Sequence, residues 1–194
     1  MEPDEIFERQ RTEFRRMRGS PHNVVFLDVD GVLNTLAAKE RSPMGYIGIQ
    51  KSKVQILHTI LAQNDAVLVL STSWKRSWSR SVPELSMNED ARYMAEQFAD
   101  ADVFACDKTN DDGFDRGRGI AEWLHTHPHK GWVVLDDETF PDYKDYGIFA
   151  HLIRTSIAPN GGLKEKHIRI AAALFAKQQE EKLGTEPKVP VPAK

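Results

Sequence analysis

Two aspartates at the end of an apolar segment are the residues in this chain whose types and spacing could do chemistry. Asp28 and Asp30 follow Val24-Val25-Phe26-Leu27, and Gly31 comes directly after them. Side chains alternate along an extended segment, so both carboxylates project to the same side while Val29 turns back into the core. Two carboxylates held close together repel each other, and a cation or a shared proton relieves that repulsion. The segment therefore predicts a site that binds a cation or transfers protons.

Polar residues also follow two other apolar segments of the sequence. Ser71-Thr72-Ser73 comes after residues 66–70, and Asp136-Asp137 comes after residues 132–135. The carboxyl ends of parallel strands lie at one edge of a sheet, so we expect these groups to meet the first two aspartates there. Carboxylates without histidine or cysteine partners are hard oxygen ligands, which favours Mg²⁺ with a phosphate oxygen completing its shell. The sequence therefore predicts a magnesium and phosphate site at this edge.

The hydroxyl groups at 71–73 stand where a strand gives way to a helix. There they lie beside free backbone N–H groups, and together these donors could hold a phosphate. Capping of the following helix by Ser71 or Ser73 is the simpler alternative.

Aromatic rings and cations alternate in the next segment and leave two interpretations open. The residues are Trp74, Lys75, Arg76, Trp78 and Arg80. They form either a base-stacking platform with phosphate contacts, or a helix whose rings pack inward while its cations stay in solvent.

Apolar periodicity predicts alternating strands and helices around these segments. The predicted strands are 24–27, 66–70, 102–105, 132–135 and 147–153, and the predicted helices lie within 1–20, 54–61, 89–98, 120–124 and 168–175. This alternation predicts an α/β fold, a three-layer α/β/α sandwich with a central parallel sheet. We expect 35–49 to form a loop or small hairpin flap with little or no cap domain, 86–89 a capping box, and 106–115 a solvated turn.

Composition bounds the remaining possibilities. The 194 residues suffice for one sizeable domain, which we expect at 21–183, with an appended N-terminal helix at 1–20 and a disordered tail at 184–194. The 26 Lys and Arg nearly balance the 29 Asp and Glu, and the net charge of −3 gives no general attraction to nucleic acid or anionic membranes. The single cysteine, Cys106, fits a reducing compartment, and no apolar run approaches membrane-spanning length, so we expect a cytoplasmic protein.

The sequence resembles the haloacid dehalogenase (HAD) superfamily, specifically its phosphatase branch. Asp28-Val29-Asp30-Gly31-Val32 resembles the first signature motif, Ser71 the second, and Asp136-Asp137 the fourth, over roughly residues 22 to 175. Leu70 to Lys75 and Asn160-Gly161-Gly162-Leu163 are also similar to small HAD domains associated with RNA-repair proteins. The resemblance implies a HAD-like Rossmannoid fold.

The resemblance also implies a role for each motif residue. Asp28 would be the nucleophile that forms an aspartyl-phosphate, Asp30 the general acid and base, and Ser71 a donor to a phosphoryl oxygen. Mg²⁺ would be held by the Asp28 carboxylate, the Asp30 backbone carbonyl and Asp136, with Asp137 supporting. The family usually has a lysine as its third motif, for which Arg116, Arg118 and Lys108 are the candidates here, Arg116 first.

Three functions follow from these residues and from the resemblance. The first is a Mg²⁺-dependent phosphatase acting on a phosphorylated small molecule, and the second is a phosphatase that processes nucleic-acid ends. The third, a catalytically silent HAD-like binding module, has no physical need for the repulsive acidic cluster. Substrate contacts are expected from Ser71, Thr72, Trp74, Lys75 and Arg76, in a monomer or weak homodimer without a membrane partner.

Overall fold

The computed structural model describes residues 1–79, 89–111 and 113–185. The strands are β1 (His22–Leu27), β2 (Ala66–Leu70), β3 (Ala105–Lys108), β4 (His129–Asp136) and β5 (Leu152–Arg154). The helices are α1 (Pro3–Gly19), α2 (Lys51–Gln63), α3 (Glu89–Ala99), α4 (Arg116–Thr126) and α5 (Glu165–Thr185). Short 3-10 helices cover Ser73–Ser77, Pro141–Lys144 and Ile148–Ala150.

The five strands form one parallel sheet in the order β3-β2-β1-β4-β5. Alternate residues of β1 face opposite layers: Val25 belongs to the core cluster that includes Leu57 of α2, and Phe26 belongs to the cluster that includes Ile120 of α4. A parallel sheet with both faces covered by helices suits such apolar strands. The predicted α/β fold with a central parallel sheet, of the HAD-like Rossmannoid type, is confirmed.

The central position of β1 aligns the ends of three strands. Leu27 pairs with Leu70 of β2 on one side and with Leu135 of β4 on the other. The residues that follow these three partners therefore reach the carboxyl edge of the sheet at the same level. This register brings sequence segments that are more than a hundred positions apart to one place.

The third and fifth strands begin later than the sequence predicted. Instead of 102–105 the third strand is Ala105–Lys108, and instead of 147–153 the fifth is Leu152–Arg154. The prediction for β3 failed because the strand includes polar residues, which apolar periodicity does not detect. Asp107 accepts a hydrogen bond from the Trp123 indole at 2.9 Å, and Lys108 Nζ donates to two backbone carbonyls. At β5, the 3-10 helix Ile148–Ala150 takes up the apolar residues that suggested an earlier start.

Residues 35–49 form the short hairpin flap that the sequence predicted. Arg41 and Ile47 make an isolated antiparallel bridge, and Ser42 N donates to Tyr46 O at 2.9 Å. The flap leads directly into α2, and Ile47 O accepts a hydrogen bond from Asn34 Nδ2 at 3.0 Å, so the flap lies beside the turn that follows β1.

Helices occupy both ends of the described chain. The N-terminal helix is α1, which packs against the edge strand β3 and buries Ile6 and Phe7. Helix α5 continues to Thr185, and the remainder of the expected tail lies outside the described residues, as do Arg80 and the first three residues of the capping box at 86–89. Among the described helices, none has the length and apolar character to span a membrane.

Candidate active site

Three carboxylates meet at the carboxyl edge of the sheet. Asp28 follows β1 and is 4% exposed, and Asp136 ends β4 and is 1% exposed. Asp28 N still donates to Leu135 O at 2.9 Å, so the ladder between the two strands continues into the site. Oxygen atoms of Asp28, Asp136 and Asp137 lie within 4.8 Å of one another. The structure therefore brings Asp28, Asp136 and Asp137 together, whereas the Asp30 carboxylate, which the sequence placed beside Asp28, lies outside this group of described residues.

The Arg116 guanidinium lies among these acids. Its Nη1 is 2.8 Å from Asp136 Oδ2 and 3.3 Å from Asp28 Oδ2, and its side chain is buried. The Phe140 ring packs against the guanidinium at 4.4 Å, and the Tyr143 hydroxyl donates to Asp136 Oδ2 at 2.8 Å. Arg116 opens α4, so the start of this helix fixes one cation beside the acids.

The two other candidates for the third-motif cation lie elsewhere. The Arg118 side chain is 41% exposed and pairs with Glu122 at 3.0 Å. Lys108 Nζ donates to the backbone carbonyls of Lys75 and Trp78. Of the three candidates, Arg116 is therefore the one in contact with the carboxylates.

Burial raises the pKa values of the three clustered carboxylates. Burial raises the pKa of Asp28 to about 7, with Asp136 adding to the rise and Arg116 opposing it. Burial also raises the pKa of Asp136, again against Arg116. Burial, with the charges of Asp136 and Glu138, raises the pKa of Asp137 to about 6. One guanidinium does not offset these acids, so the site favours a further cation.

The donor set fits Mg²⁺. Within the part of the chain that the structure describes, Asp28 Oδ1 is buried and has no hydrogen-bond partner. Leaving a buried carboxylate oxygen unpaired is costly, and a bound cation removes that cost. Three clustered carboxylates are hard oxygen ligands of the kind Mg²⁺ prefers. Asp28, Asp136 and Asp137 are therefore the residues that could hold the metal.

Asp30 is held by two donors in the neighbouring turn. Asn34 Nδ2 donates to Asp30 Oδ1 at 2.8 Å, and Trp74 Nε1 donates to Asp30 Oδ2 at 3.0 Å. Asn34 also accepts from Gly31 N at 3.0 Å and donates to Ile47 O of the flap. Sequence reasoning missed Asn34, although asparagine is common in turns because its side chain hydrogen-bonds to groups nearby in the chain. The two contacts fix the carboxylate relative to the strand end.

Ser71 and Thr72, which follow β2, have different roles. Ser71 N donates to Leu27 O at 2.8 Å, which continues the ladder, and its buried hydroxyl has no partner among the described residues. Thr72 Oγ1 accepts from Trp74 N and so caps the following 3-10 helix. The prediction that Ser71 or Ser73 would provide this cap was wrong, because the cap is Thr72. The Ser71 hydroxyl is thus available for a phosphoryl oxygen.

The alternating rings and cations fit neither prediction completely. Trp78 is buried, whereas Arg76 is exposed. Lys75, expected to contact substrate, is buried with its Nζ 2.6 Å from Asp111 Oδ2 and 2.8 Å from Thr109 Oγ1. The expectation of a solvated turn at 106–115 was therefore wrong at Asp111, since a buried lysine needs a buried acid as its partner.

Gly31→Ala is expected to weaken metal binding. Gly31 has φ +66°, and a Cβ there would overlap the Asp137 carboxylate. The side chain of Asp137 must then move, which disturbs its position beside the other two acids. We expect the Mg²⁺ concentration for half-maximal activity to rise roughly 10-fold or more, because second contacts around a metal contribute about 10- to 100-fold to affinity. A Mg²⁺ titration of phosphate release measures this.

Gly147→Ala is the matched control for this substitution. Gly147 has φ +67°, but open space surrounds the position of its Cβ. Both variants carry the same backbone strain, and only the first disturbs an acid. Equal Mg²⁺ requirements in the two variants would contradict a metal role for Asp137.

Comparison with known proteins assigns the family. Residues 24–168 match the family described as the HAD domain in Swiss Army Knife RNA repair proteins, and no curated protein matches the chain. The matched range contains the strand ends, the flap, Arg116 and the acidic cluster. Membership supports a HAD-type phosphatase at the level of the superfamily, in which Mg²⁺ is the usual metal. The chain belongs to the family of HAD domains in Swiss Army Knife RNA repair proteins.

Proposed function

We propose that this protein is a Mg²⁺-dependent phosphoric monoester hydrolase that acts through an aspartyl-phosphate on Asp28. The observation that carries the proposal is the position of Asp28. Its buried carboxylate has one oxygen without a partner in the described structure and another 3.3 Å from the Arg116 guanidinium. A carboxylate beside a fixed cation and an acidic cluster suits a nucleophile for phosphorus, because the cation offsets the charge that the phosphoryl group brings.

The metal would be held by the acidic cluster. Asp28 and Asp136 would supply carboxylate oxygens, the Asp30 backbone carbonyl would add a third, and Asp137 would support them. Bound Mg²⁺ would neutralise phosphoryl oxygens and orient the ester.

The first step breaks the ester bond. An Asp28 oxygen forms a bond to phosphorus as the bond from phosphorus to the ester oxygen breaks. Asp30 gives its proton to that oxygen, which leaves as the alcohol. Arg116 and the Ser71 hydroxyl stabilise the charge on the phosphoryl oxygens. The Asn34 and Trp74 contacts hold the Asp30 carboxylate in place for this transfer.

The second step regenerates the enzyme. Asp30, now a carboxylate, takes a proton from water as the water oxygen attacks phosphorus. The bond from phosphorus to Asp28 breaks, and inorganic phosphate leaves. Asp30 ends the cycle protonated, so the same residue acts as acid and then as base.

Phosphate release from a panel of monoesters tests the proposed function. The panel contains phosphorylated metabolites, mononucleotides, and oligonucleotides with a 3′- or 5′-phosphate. We expect release to require Mg²⁺, to stop in a chelator, and to return when Mg²⁺ is restored. Release that persists in the chelator, or no release from any ester at saturating Mg²⁺, would contradict the proposal.

A nucleic-acid end is the second candidate substrate. Two observations favour it: the exposed Arg76 and the partly exposed Trp74 lie beside Asp30, and the matched family is described by its occurrence in RNA repair proteins. Cations and rings near a site suit a nucleotide chain. Activity on a phosphorylated oligonucleotide that falls steeply with salt would support this candidate, whereas salt-independent activity on metabolites alone would contradict it.

A further inference from the structure

A cavity opens beside Asp30, between the flap and the 3-10 helix Ser73–Ser77. Its volume is about 440 Å³, and its walls include Met44 and Tyr46 of the flap and Trp74 and Arg76 of the 3-10 helix. Pockets for small molecules have volumes of about 300–1,000 Å³. The cavity is therefore large enough for a substrate group bigger than phosphate.

The position of Asp30 assigns this cavity to the leaving group. In phosphoryl transfer the attacking and leaving oxygens lie roughly in line on opposite sides of phosphorus. The leaving oxygen must lie within reach of Asp30, which protonates it, and Asp30 also lines the cavity. The rest of the ester therefore extends from Asp30 into this cavity, along the walls that Tyr46 and Trp74 form.

Two aromatic rings form the walls of this space. Tyr46 is 58% exposed, and its ring centroid is 6.0 Å from that of Trp74, with the planes tilted by 55°. Met44, 65% exposed, lies on the same side. Large apolar side chains that stay exposed beside a cavity mark a binding surface, and aromatic faces bind planar groups by stacking. The bond from Trp74 Nε1 to Asp30 fixes this ring relative to the acid.

The flap holds its ring in place before any substrate binds. Met44 N donates to Asp90 Oδ1 at 3.2 Å, and Ile49 N donates to Tyr93 Oη at 2.9 Å, so helix α3 anchors the flap at two points. Tyr46 N donates to Ser42 Oγ at 3.1 Å within the turn itself. A surface that is already ordered costs less to bind than one that must be ordered.

Polar groups on the same walls distinguish a nucleobase from a simple phenyl ring. Ser73, Arg76 and Asp90 line the cavity together with the aromatic residues. The Ser73 hydroxyl and the Arg76 guanidinium can pair with the polar edge of a base, whereas a phenyl ring offers no such edge. The combination of stacking faces and edge donors and acceptors fits a nucleoside.

We propose that this cavity binds the nucleoside of a nucleoside monophosphate, with its base against Tyr46 and Trp74. The proposal rests on the proposed function, because the hydrolysed phosphate places the nucleoside beside Asp30. Tyr46 is then a residue that determines specificity. The unit recognised is the same in a free mononucleotide and in the terminal nucleotide of a phosphorylated strand.

Tyr46→Ala tests the proposal when kcat/KM is measured for a mononucleotide and for a short aliphatic phosphate ester. We expect the loss on the mononucleotide to exceed the loss on the aliphatic ester by roughly 10- to 100-fold, the range for one stacked base. Tyr46→Phe keeps the ring and should keep the preference. Leu36→Ala removes an exposed apolar side chain of the same flap outside the cavity, and should leave both activities unchanged.

Several results would overturn the proposal. Equal losses on the two esters in Tyr46→Ala, or an equal change in preference in Leu36→Ala, would remove the role of the Tyr46 ring. Wild-type preference for phenyl phosphate over the mononucleotide would assign the cavity to a simple aryl group. A wild-type protein that hydrolyses aliphatic esters without preferring nucleotides would leave the proposed function standing and overturn the nucleoside proposal.

A binding experiment without turnover tests the cavity assignment independently of the proposed hydrolysis. The Asp28→Asn protein is titrated with a nucleoside monophosphate, and the titration is repeated with Tyr46→Ala added. Weaker binding after loss of the ring supports the cavity assignment even when wild type hydrolyses no ester. Binding that Tyr46→Ala does not change overturns it.

A comparison of substrates identifies the source of the nucleoside. A mononucleotide and an oligonucleotide with the same terminal nucleotide are assayed side by side. A higher kcat/KM for the oligonucleotide supports binding of a strand end, and a higher value for the mononucleotide supports binding of a free nucleotide. Values for both that fall below the aliphatic ester overturn the proposal.

Discussion

Asp30→Asn is expected to trap a phosphoryl group on Asp28, and Asp28→Asn is expected to abolish turnover. Asp28→Asn removes the attacking oxygen charge while keeping the side-chain shape. Burial already raises the pKa of Asp28 to about 7, so a neutral side chain at this place should fold normally. Asp30→Asn leaves the nucleophile in place and removes the proton donor and acceptor, each of which contributes about 10²- to 10⁴-fold to the rate.

Aspartyl-phosphate should accumulate because the two steps depend on proton transfer to different extents. An activated aryl phosphate has a good leaving group that needs little protonation, so the first step survives in part. Water attack still needs a base, so hydrolysis slows more than formation, and aspartyl-phosphate accumulates. Intact mass after acid quench, followed by peptide mapping, detects the adduct. Asp28→Asn with the same ester should carry none.

Trp74→Phe is the control for displacement of the Asp30 carboxylate from its position. Asparagine offers one acceptor oxygen where Asp30 uses two, so the substitution also costs the contact from Asn34 or from Trp74. Trp74→Phe removes one of these contacts and keeps the acid, so it should slow turnover without an accumulated adduct. An adduct on Ser71 or on a histidine, or wild-type turnover by Asp28→Asn, would place the chemistry elsewhere.

The strand ends could be predicted from the sequence because the cause is local. Four apolar residues before Asp28 fix a buried strand, and a buried parallel strand must end at the edge where ligands bind. The same reasoning applied to Asp136 and to Ser71. Each side chain needed only its own strand to be placed, and the parallel register then brought them together.

Contacts between distant polar residues could not be predicted in this way. Lys75 and Asp111 are 36 positions apart, and each alone reads as a surface charge, yet they form a buried ion pair. Apolar periodicity reports which faces are buried and carries no signal for a polar pair that is buried together. Tyr46 was missed as a cavity residue for a related reason, because its partner Trp74 comes from a segment after the next strand.

Arg116→Met is expected to lower kcat roughly 10²- to 10³-fold, the range for loss of one preorganised donor to a charged transition state. Its Nη1 lies 2.8 Å from Asp136 and 3.3 Å from Asp28, where a phosphoryl group on Asp28 would bring further negative charge. Methionine keeps much of the side-chain volume against Phe140 but no charge. Arg116→Lys keeps a positive charge but replaces the planar guanidinium with a compact ammonium group. It should therefore recover part of the rate.

Removal of the Arg116 charge should also increase the stabilisation of the protein by Mg²⁺. The carboxylates of Asp28, Asp136 and Asp137 then repel one another with no cation between them, and breaking such a buried charge pair costs about 3–5 kcal/mol. We expect the melting temperature of Arg116→Met in chelator to fall, and added Mg²⁺ to raise it by more than in wild type. Arg118→Met lies two positions along the same helix, where the arginine pairs with Glu122 instead of the acidic cluster, and should change neither the rate nor this Mg²⁺ response. A normal rate in Arg116→Met, or equal losses in the two variants, would mean that the guanidinium only fills space and that the transition-state charge is met by other groups.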